Sequence, residues 1–285
     1  MKDLYYKNSG SFSLPKLFLF AISSVILSSI IAFIYALIAR YNPFVYLQFI
    51  ATLGLAVIPG MVNCQLLLIA KVRNKAISVS YGLIVGFITL YFSWSFWVYV
   101  ILNYKYSLDI ILLSPIGMLE TIKEINIIGV KSISNFKLNG LLLWAIWLIE
   151  SIIIVGGIAY YSIADQIVRV FCENCKIWCQ VAKTFELENK VELKNLERVL
   201  EAKNFSYLKS FFPKSPKSSC WLRLYIRKCP SCTNTNTLTV SQISVKADSE
   251  GNPTEVDKEL INHLLISTQD IEQVENIYQE SIKQA

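Results

Sequence analysis

The sequence predicts a membrane all-α fold class with four transmembrane helices, followed by a small α+β soluble domain. Hydrophobic residues make up 54% of the 285 residues, charged residues make up 17%, and the mean hydropathy is +0.45. The charges are uneven, because residues 1–165 hold only 11 of the 27 basic and 6 of the 21 acidic residues. Six of the seven cysteines lie beyond this apolar part. We therefore predict a four-helix transmembrane bundle over residues 1–166 and a soluble domain over residues 167–285.

Four segments are long enough to cross a bilayer, whose core of about 30 Å requires about 20 apolar residues in a helix. The first span exceeds the apolar region of a usual signal peptide, and no A-x-A-like cleavage site follows it, so we interpret it as an anchor. The predicted spans are Leu17–Ile38, Phe44–Ala70, Ile77–Leu102 and Leu141–Ile163.

Lysine and arginine residues flank the spans unequally. Lys2, Lys7 and Lys16 precede the first span, and the basic loop 71–75 follows the second. An excess of basic residues marks the cytoplasmic side of a membrane protein. We therefore expect both termini in the cytoplasm, where a reducing environment keeps thiols free to bind metal.

The loop over residues 104–140 contains a predicted amphipathic helix. Ser114 and Pro115 suit an N-cap and a first helical position. Leu119, Ile122 and Ile125 then recur on one side of the helix. Such a helix lies in the plane of the membrane interface or docks onto the outer mouth of the bundle, and the sequence leaves both alternatives open.

Small residues on the spans predict close helix packing. Gly82 and Gly86 form a G-x-x-x-G pattern on the third span, a spacing that lets two helix backbones approach closely. We expect this pair to pack the bundle, with a homodimer face as the alternative. Pro59 predicts a kink in the second span because proline removes a backbone hydrogen bond. Asn63 and Gln65 are candidates to satisfy the freed groups.

Glu150 is the only acidic residue inside the predicted spans. A carboxylate there costs about 2.5–3.5 kcal/mol on insertion scales, so it should face the bundle and find a polar partner. The candidate partners are Asn63, Gln65, Ser95 and Ser151, and the first two define with Glu150 a possible intramembrane polar site. Such a site is either a proton or cation site or a hydrogen-bonded structural acid.

Two C-x-x-C pairs in the soluble part predict a metal site. Cys172 and Cys175 follow the fourth span, and Cys229 and Cys232 come after 53 intervening residues. Zinc binds four ligands in a tetrahedron, and each pair supplies two thiolates. Because apolar alternation flanks both pairs, the pattern is typical of a zinc ribbon, and we predict Zn²⁺ as a structural cofactor. Paired disulfides and unligated thiols are the alternatives.

Three further residues of the soluble domain are of a type that can bind metal. Cys179 and Cys220 are either substitute ligands or buried small apolar residues. His263 is expected on a helix surface rather than as a ligand.

Periodicity predicts the remaining elements of the soluble domain. Strands are predicted around Phe185 and Leu187, around Leu222, Leu224 and Ile226, and from Leu238 to Val245 with a bulge in the middle. Helices are predicted over Val191–Ala202, Val256–Leu265 and Gln269–Lys283.

Charge divides the soluble part into two blocks. Residues 203–228 contain seven basic residues and no acid, whereas residues 248–280 contain nine acids and one lysine. Aromatic residues interleave the basic block, a pattern also found in nucleic-acid-binding proteins. Anionic lipid is another possible partner of that charge. We expect the two blocks to be solvated and to pair with each other, and we do not expect nucleic acid as a partner.

The stretch Trp147–Glu150 followed by Cys172-Glu-Asn-Cys175 resembles a loose group of uncharacterised bacterial multi-span membrane proteins with a zinc-ribbon-like cytoplasmic tail. The resemblance covers about half the chain. It implies the fold described above and a bacterial inner-membrane location, and it implies no activity.

The leading functional hypothesis is a non-enzymatic membrane interaction or scaffold protein, whose partners are the lipid bilayer and another protein or further copies of this chain. A small transporter or channel that uses Glu150 is the alternative. An enzyme is disfavoured because the sequence has no paired acids suited to catalysis, no G-x-S-x-G and no P-loop.

Overall fold

The computed structural model describes residues 4–42, 45–131, 137–188, 195–216, 218–248 and 252–284. The chain forms two compact units. The first, here called the helical unit, holds residues 9–168. The second, here called the sheet unit, holds residues 169–284 together with the N-terminal residues 4–8. The sequence pattern does not predict that the N-terminal residues belong to the sheet unit.

Among the described residues, four helices are long and apolar enough to cross a membrane, as the sequence predicts. A helix satisfies its backbone hydrogen bonds internally, which is why helices can cross hydrocarbon. The side chain of Asn74 caps the third of them by accepting a hydrogen bond from the Ile77 amide at 3.1 Å. The long helices are α1 (Leu14–Tyr41), α2 (Val45–Ile69), α3 (Lys75–Ile101) and α6 (Gly140–Ile167).

The predicted G-x-x-x-G pair packs α3 against α6. A Cβ atom added at Gly82 would lie 2.9 Å from the Cα atom of Ala159, and one at Gly86 would lie 3.2 Å from the Cα atom of Val155. The glycines are needed because the two backbones touch. The pair thus serves the bundle interior, as the first of the two alternatives predicts. The order of these contacts also shows that α3 and α6 are antiparallel.

A second close contact joins α2 to α6. A Cβ atom added at Gly60 would lie 2.6 Å from the Cβ atom of Tyr161, and one at Gly157 would lie 2.7 Å from the Cβ atom of Ala56. Residue numbers rise together along the two helices, so α2 and α6 are parallel. This direction is the one expected of the second and fourth crossings of a four-span chain.

Two short helices, α4 (Leu108–Leu113) and α5 (Pro115–Ile128), fill the loop between α3 and α6. The second helix begins at Pro115, as predicted. Its Met118 and Ile122 are buried in one cluster with Val98 of α3 and Trp147 of α6. Leu119 is exposed, so the buried face is turned from the predicted one. This packing agrees with the docking alternative. A short ladder of β1 (Val130–Lys131) and β2 (Lys137–Leu138) follows the second helix.

An antiparallel sheet forms the core of the sheet unit, and in the described part of the chain it has five strands in the order β6-β5-β7-β8-β9. Phe185, Leu187, Leu222, Leu224 and Ile226 are buried, as their alternation predicts. The five strands are β5 (Gln180–Glu188), β6 (Phe212–Pro213), β7 (Cys220–Lys228), β8 (Asn236–Ala247) and β9 (Pro253–Leu265), and a separate hairpin joins β3 (Phe171–Cys172) to β4 (Ile177–Trp178).

The predicted helix over Val256–Leu265 is wrong, because this segment is most of β9. Its apolar residues fit helical spacing, yet pairing along β8 supplies tertiary contacts that override this local preference. Thr254, which precedes this segment, donates a hydrogen bond to the Lys246 carbonyl on β8 at 3.0 Å. The bulge predicted in the strand from Leu238 to Val245 is wrong, because β8 pairs with β7 without a register shift. The pair of β8 and β9 contains a bulge instead. Its extra residues lie on β9, where His263 adopts a φ of 56°.

The other predicted helices of the sheet unit are present in shorter or matching form. The helix α7 covers Leu196–Glu201, and residues 191–194 of the predicted range lie outside the described residues. The last helix, α8, covers Thr268–Gln284. The Ser267 hydroxyl caps it by accepting a hydrogen bond from the Asp270 amide at 3.1 Å. A 3₁₀ helix over Phe205–Ser210 lies between α7 and β6.

Candidate metal centre and intramembrane polar group

The first C-x-x-C pair lies on the hairpin of β3 and β4. Phe171 pairs with Trp178 and Cys172 pairs with Ile177, so the four residues between the strands form a tight turn. Lys176 takes a left-handed φ of 54° in this turn. Such a turn aims the Cys172 and Cys175 side chains to one side, which is the geometry that a metal-binding knuckle requires.

The second pair lies in the connection between β7 and β8. The ladder of these strands ends with Lys228 paired to Asn236. Across the connection, the Cys229 amide donates a hydrogen bond to the Thr235 carbonyl at 3.1 Å. The side-chain amide of Asn236 donates another hydrogen bond to the Thr233 carbonyl at 3.0 Å. These bonds hold Cys229 and Cys232 in a compact loop.

The register of the sheet brings the two pairs together. Gln180 at the start of β5 pairs with Lys228 at the end of β7. The first hairpin ends just before Gln180, and the second connection begins just after Lys228. Both pairs must therefore lie at the same end of the sheet, although more than 50 residues separate them in the sequence.

The four sulfur atoms form one cluster that could hold a metal ion. In the described part of the chain, the Sγ atoms of Cys172, Cys175, Cys229 and Cys232 all lie within 4.8 Å of one another. Those of Cys172 and Cys232 are 3.6 Å apart. A tetrahedral zinc ion with bonds of about 2.3 Å sets its sulfur ligands about 3.8 Å apart. The cluster therefore has the donor set and the size of a tetrahedral thiolate site.

The environment of the cluster favours the thiolate form of Cys172, which is the form that binds metal. Burial alone would raise the pKa of Cys172. Hydrogen bonds from the Thr235 side chain and the Cys175 backbone, together with the neighbouring thiols, instead lower that pKa to about 6. A thiolate is the form of cysteine that binds metal.

The two further tail cysteines lie outside the cluster. Cys179 is buried, and its amide donates a hydrogen bond to the Val170 carbonyl at 2.8 Å. Burial, and then the charge of nearby thiolates, raises the pKa of Cys179 to about 12, so it stays a thiol. Cys220 lies at the opposite end of β7, about 27 Å along the strand from the site. Neither residue replaces a ligand in this arrangement.

His263 is also placed away from the ligand set. It is buried on β9 rather than exposed on a helix. Its Nδ1 atom lies 3.2 Å from the Thr239 hydroxyl. The expectation of a helix-surface residue is wrong, for the same reason as the helix itself: the segment pairs with β8.

The polar neighbours of Glu150 differ from the predicted ones. Its carboxyl group lies within hydrogen-bonding reach of the Gln48 and Thr52 side chains, both on α2. The Gln48 amide also donates to the Tyr35 hydroxyl of α1 at 2.9 Å. Gln48 lies near the start of α2 at the depth of Glu150, because α2 and α6 run parallel. We call Tyr35, Gln48, Thr52 and Glu150 the polar group of the helical unit.

The predicted association of Glu150 with Asn63 and Gln65 is wrong. Asn63 lies 15 residues beyond Gln48 on α2, which is about 22 Å along a helix. Gln65 instead donates a hydrogen bond to Asp165 at 3.4 Å. The amide of Asn63 is 1% exposed and has no hydrogen-bond partner among the described residues, so it does not satisfy the backbone near Pro59.

The two serines considered as partners bond elsewhere. The Ser95 hydroxyl donates to the Tyr91 carbonyl at 2.9 Å, and the Ser151 hydroxyl donates to the Trp147 carbonyl at 2.7 Å. Residue type alone favours these serines, Asn63 and Gln65 as partners. The direction of the helices and the depth of Glu150 point to Gln48 and Thr52 instead.

The two charge blocks pair with each other, as expected. The ion pairs Lys203–Asp270, Lys209–Glu280 and Lys228–Glu275 have N···O distances of 3.7, 3.2 and 3.9 Å. Three of the aromatic side chains of the basic block face inward. Phe205, Phe211 and Trp221 are each at most 2% exposed. They therefore form core rather than a stacking surface.

Fold and site together define a chain with membrane-length helices and an antiparallel sheet domain that carries a four-cysteine cluster. Compared with protein-family models, with curated proteins and with solved structures, the chain finds no match. Its functional assignment therefore depends on its own geometry.

Proposed function

We propose that this chain is a non-enzymatic integral membrane protein whose cytoplasmic domain, folded around one structural zinc ion, contacts another protein or further copies of the chain. The observation that carries the proposal is the cluster of four Sγ atoms within 4.8 Å of one another. Thiolates select zinc among the common divalent ions in a tetrahedral site. Four thiolates also fill the tetrahedron, which leaves no position for a substrate.

The proposed topology places the sheet unit in the cytoplasm of a bacterial cell, below the inner membrane. Residues 4–8 and 169–284 belong to one compact unit. An even number of crossings is the simplest way to bring both ends to one side. The basic residues before α1 and in the loop 71–75 favour the cytoplasmic side. The reducing cytosol would keep the four thiols available for zinc.

A protein partner fits the charge distribution better than nucleic acid does. The basic residues Lys203, Lys209 and Lys228 pair with acids of the same domain. Because these charges are already paired within the domain, they contribute little to binding a phosphate backbone. Exposed apolar side chains such as Phe212 and Ile282 remain on the surface of the sheet unit. We propose that contacts of this kind, on a domain stiffened by zinc, serve binding.

The experiment is crosslinking in intact membranes with the full-length chain. We expect crosslinked products with a discrete partner or a discrete oligomer in the wild type, and their loss in Cys172→Ser. Cys220→Ser is the matched control, because it removes a thiol of the same domain that lies outside the cluster; it should crosslink like the wild type. Equal crosslinking in all three chains would contradict the role of the metal-bound domain in binding.

A second candidate function is a small transporter or channel, and the polar group favours it. Glu150 is joined across helices to Gln48, Thr52 and Tyr35, which offer oxygen atoms to a cation or a path to a proton. Ion flux into vesicles that contain the purified protein tests this candidate. Flux that Glu150→Gln abolishes, at unchanged protein level, would support it; absence of flux in the wild type, or equal flux in both chains, would reject it.

A further inference from the structure

The N-terminal segment, residues 4–8, adds a short strand to the free edge of β9. Tyr5 pairs with Leu264 in an antiparallel bridge. The Leu265 amide donates to the Leu4 carbonyl at 2.8 Å, and the Tyr6 amide donates to the His263 carbonyl at 2.9 Å. The left-handed φ of 56° at His263 belongs to the bulge that presents this carbonyl. Backbone bonds to a sheet edge are a recurring way to bind an extended segment.

The two tyrosines of the segment face different environments. Tyr5 packs against the main core, and its hydroxyl donates to Glu201 at 2.8 Å. Tyr6 packs against the cluster that contains Cys172, Cys179 and Cys229. Alternation along a strand produces this split, because neighbouring side chains point to opposite faces.

The hydroxyl of Tyr6 bonds directly to the first knuckle. It accepts a hydrogen bond from the Phe171 amide at 3.0 Å and donates one to the Asn8 side chain at 2.9 Å. Phe171 immediately precedes Cys172, the most buried of the four ligands. A group that fixes the residue next to a ligand fixes the orientation of that ligand, which is how outer partners tune a metal site.

We propose that Tyr6 is the positioning residue of the metal centre, and that the N-terminal segment and the metal ion bind the sheet unit cooperatively. Coupling between two sites is reciprocal. A docked segment orders the knuckle and raises metal affinity, and a bound metal orders the knuckle and holds the segment. This inference rests on the proposed metal site and extends it: metal loading would control whether the residues that lead into α1 are docked or free.

The test uses the full-length chain in detergent, stripped of metal and titrated with Co²⁺, whose visible bands report tetrahedral thiolate coordination. Tyr6→Phe removes one hydroxyl. We expect it to weaken Co²⁺ binding about fivefold, the scale of one hydrogen bond, and to shift the visible bands. Tyr5→Phe is the matched control, because it removes a hydroxyl from the same segment at a contact away from the cysteines. It should change affinity less than about twofold.

Hydrogen exchange supplies the reciprocal readout. In the wild type, removal of metal should speed exchange of the Tyr6 and Leu265 amides, which the docked segment protects. Two results together would overturn the inference even if the wild type binds metal well. The first is a Tyr6→Phe variant with unchanged Co²⁺ affinity and visible bands, and the second is a wild type whose amide exchange rates are the same with and without metal. A wild type that binds no metal would instead overturn the metal site itself, so the two failures are distinguishable.

Discussion

The helical unit and the sheet unit place their large apolar side chains in opposite ways. In the helical unit, small residues such as Ala32 and Gly82 lie inside, whereas Phe18 and Leu141 are 71% and 86% exposed. In the sheet unit, the large side chains of Phe205 and Trp221 are fully buried. The solvent explains the difference. Water drives large apolar groups inward, whereas lipid is as apolar as those groups and leaves close backbone packing to hold helices together.

The two units also differ in the interactions that they have in addition to apolar side-chain packing. The sheet unit has a compact core and, at one end of its sheet, a cysteine cluster. The helical unit has its polar group and its close glycine contacts. The comparison predicts that a change of sulfur ligands should damage the sheet unit alone, and that a change of glycine should damage the helical unit alone.

Loss of one cysteine of the cluster is the largest effect that the proposed metal site predicts. Structural zinc contributes about 10–16 kcal/mol of apparent binding free energy in small zinc domains. Cys229→Ser should therefore open the metal-bearing end of the sheet unit and make residues 169–188 sensitive to protease, while residues 9–168 stay protected by detergent. Limited proteolysis with mass spectrometry checks this. Cys179→Ser should leave the cleavage pattern unchanged, and equal cleavage of both variants would contradict the ligand set.

A methyl group added at the α2–α6 contact should have an intermediate effect. Gly157→Ala would place its Cβ atom 2.7 Å from the Cβ atom of Ala56, so the helices must separate. Overpacking of this kind costs about 1–3 kcal/mol. The adjacent change Gly156→Ala is the control, because a Cβ atom there meets no atom within 4 Å. Unfolding in mixed micelles should show Gly157→Ala less stable than Gly156→Ala, and the reverse order would refute the packing of these two helices.

A partly buried ion pair of the sheet should give a smaller effect. Glu186 contacts Arg223 at 2.7 Å and Lys214 at 3.2 Å. Burial alone would raise the pKa of Glu186, but these two cations lower it below its usual value. Its contribution is therefore present above the unfolded-state pKa of about 4.3 and is lost as pH falls through the folded-state pKa.

Glu186→Gln should reduce the free energy of unfolding of the sheet unit by about 1 kcal/mol at neutral pH, with a smaller difference in acid. Denaturant unfolding at several pH values measures this. Glu280→Gln is the control, because its pair with Lys209 is exposed on both sides and should contribute almost nothing. A Glu186 effect that does not shrink in acid would contradict the assignment.

The sequence predicts those parts of the fold that a long or strict pattern defines. The four spans follow from length and hydropathy alone, and the strand around Leu222 follows from alternation. The helix predicted over 256–265 is wrong, because a short apolar run fits both the helical and the strand period and only its pairing with β8 decides between them. The sequence does not predict the N-terminal strand, because three paired residues are too few to form a periodic signal.

The candidate sites divide in the same way. The cysteine cluster was predictable because ligand type and spacing carry the chemistry. The partners of Glu150 were not found, because they depend on the depth at which parallel helices meet. The rule that the second and fourth spans share a direction points to Gln48, because Gln48 lies in the first half of α2 and Glu150 lies in the first half of α6.

The metal content of the full-length protein, purified from the membrane fraction without chelator, tests the central claim most directly. Elemental analysis combined with native mass spectrometry should find one zinc ion per chain with all four cluster thiols reduced, and Cys172→Ser should lose it while Cys220→Ser retains it. A metal-free wild type whose cluster cysteines are joined as disulfides, or a product recovered from the aqueous fraction, would contradict the account.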